Sequence, residues 1–305
     1  MLSSNNVKRI SLLASSYSGS TIFGMLLAQD KRFCAFGDMY TIEGISTLDD
    51  LCNCGEKIKN CSLRIDLMRL LDQQGYAPEM VHSREYAMPF NWISRRFGGL
   101  RLVNAYRWLA KVGGDTVFYR SFRDREECFL KCLSSIQGYE YFVDGTKNVV
   151  RADILMRVVN DNLLVHLFRD PMSVVHSGVT RHDNKGRTIR AHLKSWCTYN
   201  RFAKELCESY PGRSCSISFD HLVKDPTTIL EKLSLELGIA GLSVDPENVS
   251  AVGTHLIGNR ARHKSKSINP NQMKVSVETI RGMGVTQEEI NTALSLYDNL
   301  LGNAT

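Results

Sequence analysis

Apolar residues along this chain fall into two patterns, short unbroken runs and stretches where they recur every three or four positions. Val7–Ala14 (VKRISLLA) is a run without helical period and reads as a buried strand. Small polar residues from Ser15 to Ser20 predict a loop, and Thr21–Gln29 (TIFGMLLAQ) predicts the helix behind it. The alternation returns further on. Tyr139–Asp144 (YEYFVD) reads as a strand, and Ala152, Leu155, Met156 and Val159 mark one face of a helix. Leu163–Phe168 reads as the next strand, closed by Arg169-Asp170-Pro171, with Pro171 suited to the first turn of a helix from about Met172 to Thr180. Trp196, Tyr199, Ala203 and Leu206 trace a further helix, Cys215–Phe219 a strand, and Ile229, Leu230, Leu233 and Leu237 a helix that stops at Gly238. Strands alternating with helices predict an α/β fold, a central parallel sheet covered by helices on both faces.

Residues from about 46 to 135 break this rhythm with a cysteine cluster and then an arginine- and aromatic-rich stretch holding Trp92, Phe97, Tyr106 and Trp108. The expectation is a single domain over 1–305, with 46–135 a mostly helical insertion covering the sheet's ligand edge and shaping an acceptor pocket. Ligands of open α/β sheets sit at the carboxyl ends of the strands.

Composition narrows the partners. The 305 residues are 43% hydrophobic and 23% charged, which suits a globular protein with a sizeable core. The net charge of +6 is spread along the chain, with local groups such as Arg95–Arg96 and Arg260–Lys266. A nucleic-acid binder would gather its basic residues into a stripe, so an anionic small molecule is expected instead. The apolar run after Lys8 and Arg9 is too short to span a membrane and lacks the apolar region of a signal peptide. A cytoplasmic location is expected, with no integral membrane segment. The odd number of cysteines, nine, fits reduced thiols. Nothing in the pattern specifies an oligomeric state.

Two segments carry candidate chemistry. In Ser15–Thr21 (SSYSGST), a central glycine lets backbone N–H groups turn toward an anion, and the helix behind adds partial positive charge at its N-terminus. Ser18, Ser20 and Thr21 offer hydroxyl donors. The lysine of a nucleoside-triphosphatase loop is missing. In Arg169–Ser177 (RDPMSVVHS), an arginine at a strand end and a serine two helical turns later can clasp one phosphate together.

Taken together these segments resemble the two nucleotide-binding motifs of the sulfotransferases that use 3′-phosphoadenosine 5′-phosphosulfate (PAPS). Those are a loop ending S-G-[ST]-T for the 5′-phosphosulfate and R-D-P-x-x-[VA]-x-x-S for the 3′-phosphate. The resemblance implies a P-loop-like fold. It assigns Tyr17, Ser18, Gly19, Ser20 and Thr21 to the 5′ side and Arg169 and Ser177 to the 3′-phosphate. Val143-Asp144-Gly145-Thr146-Lys147 is similar to a strand end of bacterial members whose lysine points at the sulfuryl group. Phe219-Asp220-His221-Leu222 with Asp225-Pro226 resembles the family's Y-E-D-L…D-P segment. Gly258-Asn259-Arg260-Ala261-Arg262 resembles the loop that closes over the nucleotide, which implies roles for Gly258, Asn259, Arg260 and Arg262. The stretch Cys52-Asn53-Cys54-Gly55, with Cys61, is like a C-x-C-G…C stretch of many bacterial members. These matches run from about residue 7 to 265.

The resemblance implies transfer of a sulfuryl group from PAPS to a hydroxyl of a sugar, lipid, phenol or small metabolite. Lys147 would stabilise sulfuryl and leaving-group oxygens, and Asp38 would act as general base, with His82, His166, His176, His182 and His255 as alternatives. The chain departs from the family twice. Tyr17 stands where a lysine or arginine usually precedes S-G-[ST]-T, and Asp38 stands where relatives have glutamate. A small-molecule or nucleoside kinase is the rival enzyme, and a protein that only binds PAPS or its product is the non-catalytic rival. Cys52, Cys54 and Cys61 lack a clear fourth ligand, although His82 is conceivable, and structural zinc takes four. Packed thiols without metal are therefore the expectation there, ahead of a zinc site or a local disulfide.

Overall fold

The strand β1 (Lys8–Ala14) lies at the middle of the sheet because its side chains alternate between two covered faces. Ile10, Leu12 and Ala14 join the core on one side, while Arg9, Ser11 and Leu13 are buried on the other. In this computed structural model the described residues are 7–37, 51–52, 54–76, 117–180, 188–249, 254–255, 277–281 and 284–304. The elements after β1 are α1 (Ser20–Leu27), β2 (Phe33–Phe36), α2 (Ser62–Gln73), α3 (Val117–Gln137), β3 (Tyr141–Asp144), α4 (Val149–Val158) and β4 (Asn162–Phe168). They continue with α5 (Pro171–Thr180), α6 (Ile189–Glu208), β5 (Ser214–Ser218), α7 (Phe219–Lys224), α8 (Pro226–Leu237), β6 (Thr254–His255), α9 (Val277–Arg281) and α10 (Gln287–Gly302).

The strands form one sheet in the order β5-β4-β1-β3-β2-β6, and every pairing is parallel. The chain runs from β1 outward to β2, returns to β3, and then crosses to the far side of β1 for β4 and β5. That reversal opens a crevice at the carboxyl ends of β1, β3 and β4, where open α/β sheets bind ligands. The register Ser11↔Asp144 ends β3 three residues before β1 does, so Gly145–Lys147 follow β3 beside the last turn of β1.

Two helix layers follow from the alternation. On one face Phe23, Leu26 and Leu27 of α1 and Ile229, Leu230 and Leu233 of α8 pack against Ile10, Leu12, Val143 and Val165. On the other face α2 and α3 bury Leu63, Leu67, Phe129 and Leu133 against Cys34, Phe36 and Phe142, and α4 and α6 cover Leu13 and Leu164. Of the described parts of 46–135, α2 and α3 are helices on this sheet face and Leu51–Lys57 form a bridged turn, while 46–50, 53 and 77–116 are outside the described residues.

Set into that second face is a closed cluster of four charges. Arg9 on β1 pairs with Glu126 of α3 and with Asp144 of β3, the latter at 3.1 Å. Arg151 on α4 pairs with Asp144 and, at 2.8 Å, with Glu126. All four are buried, and the two cations balance the two anions. Burial raises the pKa of Asp144, but Arg151, Arg9 and Thr146 more than offset this and hold it below the ordinary carboxylate value. Taking one member out of such a set leaves the others buried and uncompensated.

Buried His166 on β4 is a neutral counterpart. It pairs with Asn200 of α6 at 2.9 Å, and burial pushes its pKa down to about 4. This environment makes it a core residue rather than an alternative base.

Glu126→Leu should lower the unfolding free energy by about 3–5 kcal/mol in urea titrations, and Glu126→Leu with Arg9→Met should recover part of that loss. A second expectation concerns acid. The unfolded chain protonates His166 near about pH 6.5, the folded chain only near 4. Its contribution is therefore complete above the unfolded pKa and falls away as pH drops toward the folded one, by about 3 kcal/mol in all. His166→Asn should flatten that part of the stability profile measured between pH 7.5 and 4.5; an unchanged slope would assign the acid sensitivity elsewhere.

Candidate active site

The loop after β1 turns on two residues with left-handed backbone, Tyr17 (φ 68°) and Gly19 (φ 87°). Ser18 is fully buried, its hydroxyl 2.6 Å from that of Ser15, which ties the loop to itself. Gly19 is required twice over. Its φ suits glycine, and a Cβ there would lie 2.4 Å from the Phe219 ring. Gly19 is also the N-cap of α1 and brings no side-chain cap, so the first-turn N–H groups of α1 receive no oxygen from it. With the helix dipole behind them they form an anion-attracting end. Ser20 is buried and Thr21 half-buried at that end.

The second motif meets this loop directly. Arg169, just past β4, donates from Nη1 to the Tyr17 carbonyl at 3.1 Å, joining segments 152 residues apart. The guanidinium lies 5.9 Å from the Phe219 ring centre, the same ring that closes on Gly19. The Arg169 carbonyl accepts from Trp196 Nε1 at 3.1 Å, and Asp170 accepts from the Ser173 N–H at 2.7 Å, starting α5 as Asp170-Pro171 predicts. The Asp170 N–H donates to Asp220 at 2.7 Å, and Asp220 also accepts from the Tyr297 hydroxyl at 2.8 Å. Burial raises the Asp170 pKa, opposed by its bonds with Ser173. Ser177 is half-buried on α5, two turns from Pro171.

Lys147 follows β3 with φ 60°. Among the described residues, it and Tyr17 are the two non-glycines in left-handed backbone. Such conformations cost about 1–3 kcal/mol each and persist where the surroundings over-determine them. Here the determinant is Tyr199 of α6. Its hydroxyl donates to the Lys147 carbonyl at 2.9 Å and accepts the Ala14 N–H at 3.0 Å, spanning the ends of β1 and β3. Below it, Asp144 accepts from the Thr146 N–H at 3.1 Å and from the Thr146 hydroxyl, linking this turn to the charge cluster.

The structure therefore brings the segments of Tyr17, Ser18, Gly19, Ser20, Thr21, Lys147 and Arg169 together at the carboxyl ends of β1, β3 and β4, with Ser177 on the helix that follows Arg169. The Tyr17 ring packs edge-on to His192 at 6.1 Å and against the cluster around Phe168 and Met172. Asp38 and the loop of Gly258, Asn259, Arg260 and Arg262 lie outside the described residues, as do His82 and His182. His176 is half-buried on α5. In the sequence Tyr199 reads as one more apolar helix position. Its position in the chain gives no sign that its hydroxyl spans two strand ends.

A family profile described as "Sulfotransferase family" matches residues 13–243, from the end of β1 through both motifs to just past α8. The chain belongs to the sulfotransferase family. Two solved structures share its fold. One is the sulfotransferase domain of the Synechococcus PCC 7002 olefin synthase, 17% identical over 99% of this chain and 98% of that one, with a TM-score of 0.52. The other is the sulfotransferase domain from the curacin biosynthetic pathway, 16% identical over 96% and 98%, with a TM-score of 0.51. No curated protein sequence matches. The expected P-loop-like sulfotransferase fold and its parallel sheet flanked by helices are those observed. No helix among the described residues of this sulfotransferase is long and apolar enough to cross a membrane.

Tyr199→Phe keeps the ring and removes the hydroxyl, and with it the bonds to the Ala14 N–H and the Lys147 carbonyl. Stability should fall by about 1–3 kcal/mol, read by thermal or urea unfolding, and turnover should fall further than this loss of folded protein explains. Wild-type values for both would remove Tyr199 from the positioning of the site.

Proposed function

We propose that this sulfotransferase moves a sulfuryl group from PAPS to a hydroxyl acceptor. The observation that carries this reading is the bond from Arg169 to the Tyr17 carbonyl, by which the two halves of a nucleotide clasp meet at the carboxyl end of the sheet. The uncapped start of α1 and the strained turn at Lys147 support it from the adjoining strands.

In this reading the N–H groups of α1 and the hydroxyls of Ser20 and Thr21 hold the 5′-phosphate, and Arg169 with Ser177 holds the 3′-phosphate. The acceptor oxygen attacks sulfur and forms the new S–O bond. The bond from sulfur to the bridging phosphate oxygen breaks, and its electron pair leaves with the nucleotide. Such transfers depend on in-line positioning and on charge placed in advance. Lys147 supplies that charge, and Asp38 takes the hydroxyl proton. Gly258, Asn259, Arg260 and Arg262 close over the nucleotide. Tyr17, whose ring packs beside His192, contributes its backbone carbonyl to Arg169 rather than a phenol to the leaving group. The insertion, residues 46–135, shapes the acceptor pocket, and the acceptor class is a sugar, lipid headgroup, phenol or small metabolite.

Nucleotide titrations separate the roles. Arg169→Ala should weaken PAPS binding roughly 10–100-fold and Ser177→Ala about fivefold, the difference between a charge-assisted and a neutral contact. With adenosine 5′-phosphosulfate, which lacks the 3′-phosphate, the Ser177 effect should vanish and the Arg169 effect shrink to what its hold on Tyr17 explains. Equal losses for both nucleotides in both variants would overturn the 3′-phosphate assignment. Lys147→Ala should lower turnover by about two orders of magnitude or more with nucleotide binding kept. A wild type that binds PAPS tightly yet sulfates nothing in a broad acceptor panel, while Tyr17→Arg gains transfer, would leave a binding protein in place of the enzyme.

A further inference from the structure

On the sheet face that bears α2 and α3, the segment before α2 folds its three cysteines onto one point. Leu51 bridges Lys57 in antiparallel fashion, the Cys52 N–H donates to the Glu56 carbonyl at 2.8 Å, and the Gly55 N–H returns to the Cys52 carbonyl at 3.0 Å. Gly55 permits this turn through φ 91°, with no atom within 4 Å of where a Cβ would stand, so backbone conformation alone demands the glycine. A single turn of 3₁₀ helix, Ile58–Asn60, then delivers Cys61 to the start of α2. The outcome is that the Sγ atoms of Cys52, Cys54 and Cys61 all lie within 4.8 Å of one another.

The spacing identifies what the cluster suits. Cys52 Sγ and Cys61 Sγ are 3.7 Å apart. A disulfide would bring them to about 2.05 Å. Tetrahedral zinc with Zn–S bonds of about 2.3 Å sets its sulfurs about 3.8 Å apart along each edge. Cys52 and Cys61 are fully buried and Cys54 is exposed, so the cluster opens on one side. Among the described residues no fourth His, Cys, Asp or Glu joins it, which leaves the fourth coordination position to water or another donor.

We propose that Cys52, Cys54 and Cys61 bind a zinc ion as thiolates and that this ion staples the 51–61 turn to the sheet. Soft thiolate donors select zinc over the oxygen-preferring divalent ions. Binding releases the thiol protons, and the dication replaces them at a place where burial otherwise disfavours negative charge. The three thiolates outweigh the ion by one negative charge, and residues 51–64 carry Lys57, Lys59 and Arg64 against Glu56. Cys52 and Cys61 belong to the core that α2 and α3 share with Cys34, Phe36 and Phe142, so the ion would fasten the turn to the side of the sheet that bears β2.

The test is elemental analysis of the full-length protein purified under reducing conditions, followed by chelator competition. About one zinc per chain is expected, and cobalt in its place should give the visible absorption of a tetrahedral thiolate site. Exposed Cys54 permits a variant that folds. Cys54→Ser should weaken zinc roughly tenfold or more with an unchanged circular dichroism spectrum, while Cys197→Ser, on α6, should bind as the wild type does. Reduced protein that neither retains nor takes up zinc would overturn the proposal, as would Cys54→Ser competing like the wild type. A Cys52–Cys61 disulfide in unreduced protein, with no zinc uptake after reduction, would overturn it in favour of a redox bond.

Discussion

The buried square of Arg9, Glu126, Asp144 and Arg151 is the constraint on which the other parts rest. It joins the two central strands to two helices on one face, and one corner, Asp144, is the last residue of β3. Net charge within it is zero, so it is stable as a set and intolerant of partial loss. The turn of Gly145, Thr146 and Lys147 starts from that corner and is held to it through Thr146. A strained lysine backbone at a strand end needs a rigid base, and four mutually neutralised charges in a dry interior supply one.

Much of this was legible in the chain. The β1–loop–α1 unit and the β4–Arg169-Asp170-Pro171–α5 unit stand within a residue or two of where pattern and turn chemistry put them. The strand β2, only four residues long, escaped the reading because Phe33–Phe36 sits between Asp30-Lys31-Arg32 and a glycine, too short for a period to show. Phe219 reads as the end of a strand, yet Ser218 accepts the His221 N–H and starts a helix there. Arg9 reads as a charge beside the apolar run; only the fold brings Glu126 and Asp144 from over a hundred residues away to neutralise it. Pairings of that kind leave no local trace.

The site shows the same division. Gly19 and Arg169 stand out because a loop glycine and a strand-end position mark them, and Lys147 through the resemblance, whereas Tyr199 acts through a hydroxyl whose two partners lie at the ends of different strands. The three cysteines were visible as a spacing, but a spacing does not tell how far apart the sulfurs lie. The turn through Gly55 brings them together.

The family profile ends at residue 243, but the interactions do not end there. Tyr297, on α10, hydrogen-bonds Asp220, and Asp220 holds the N–H of Asp170 beside Arg169. Phe168 at the end of β4 packs edge-on to the same tyrosine ring, 5.9 Å away. The stretch that carries the recognisable signature is therefore smaller than the cooperative unit. A chain cut at the boundary of recognition would retain the loop of Gly19 and the strand end at Arg169 and lose the helix whose Tyr297 holds Asp220 against Asp170.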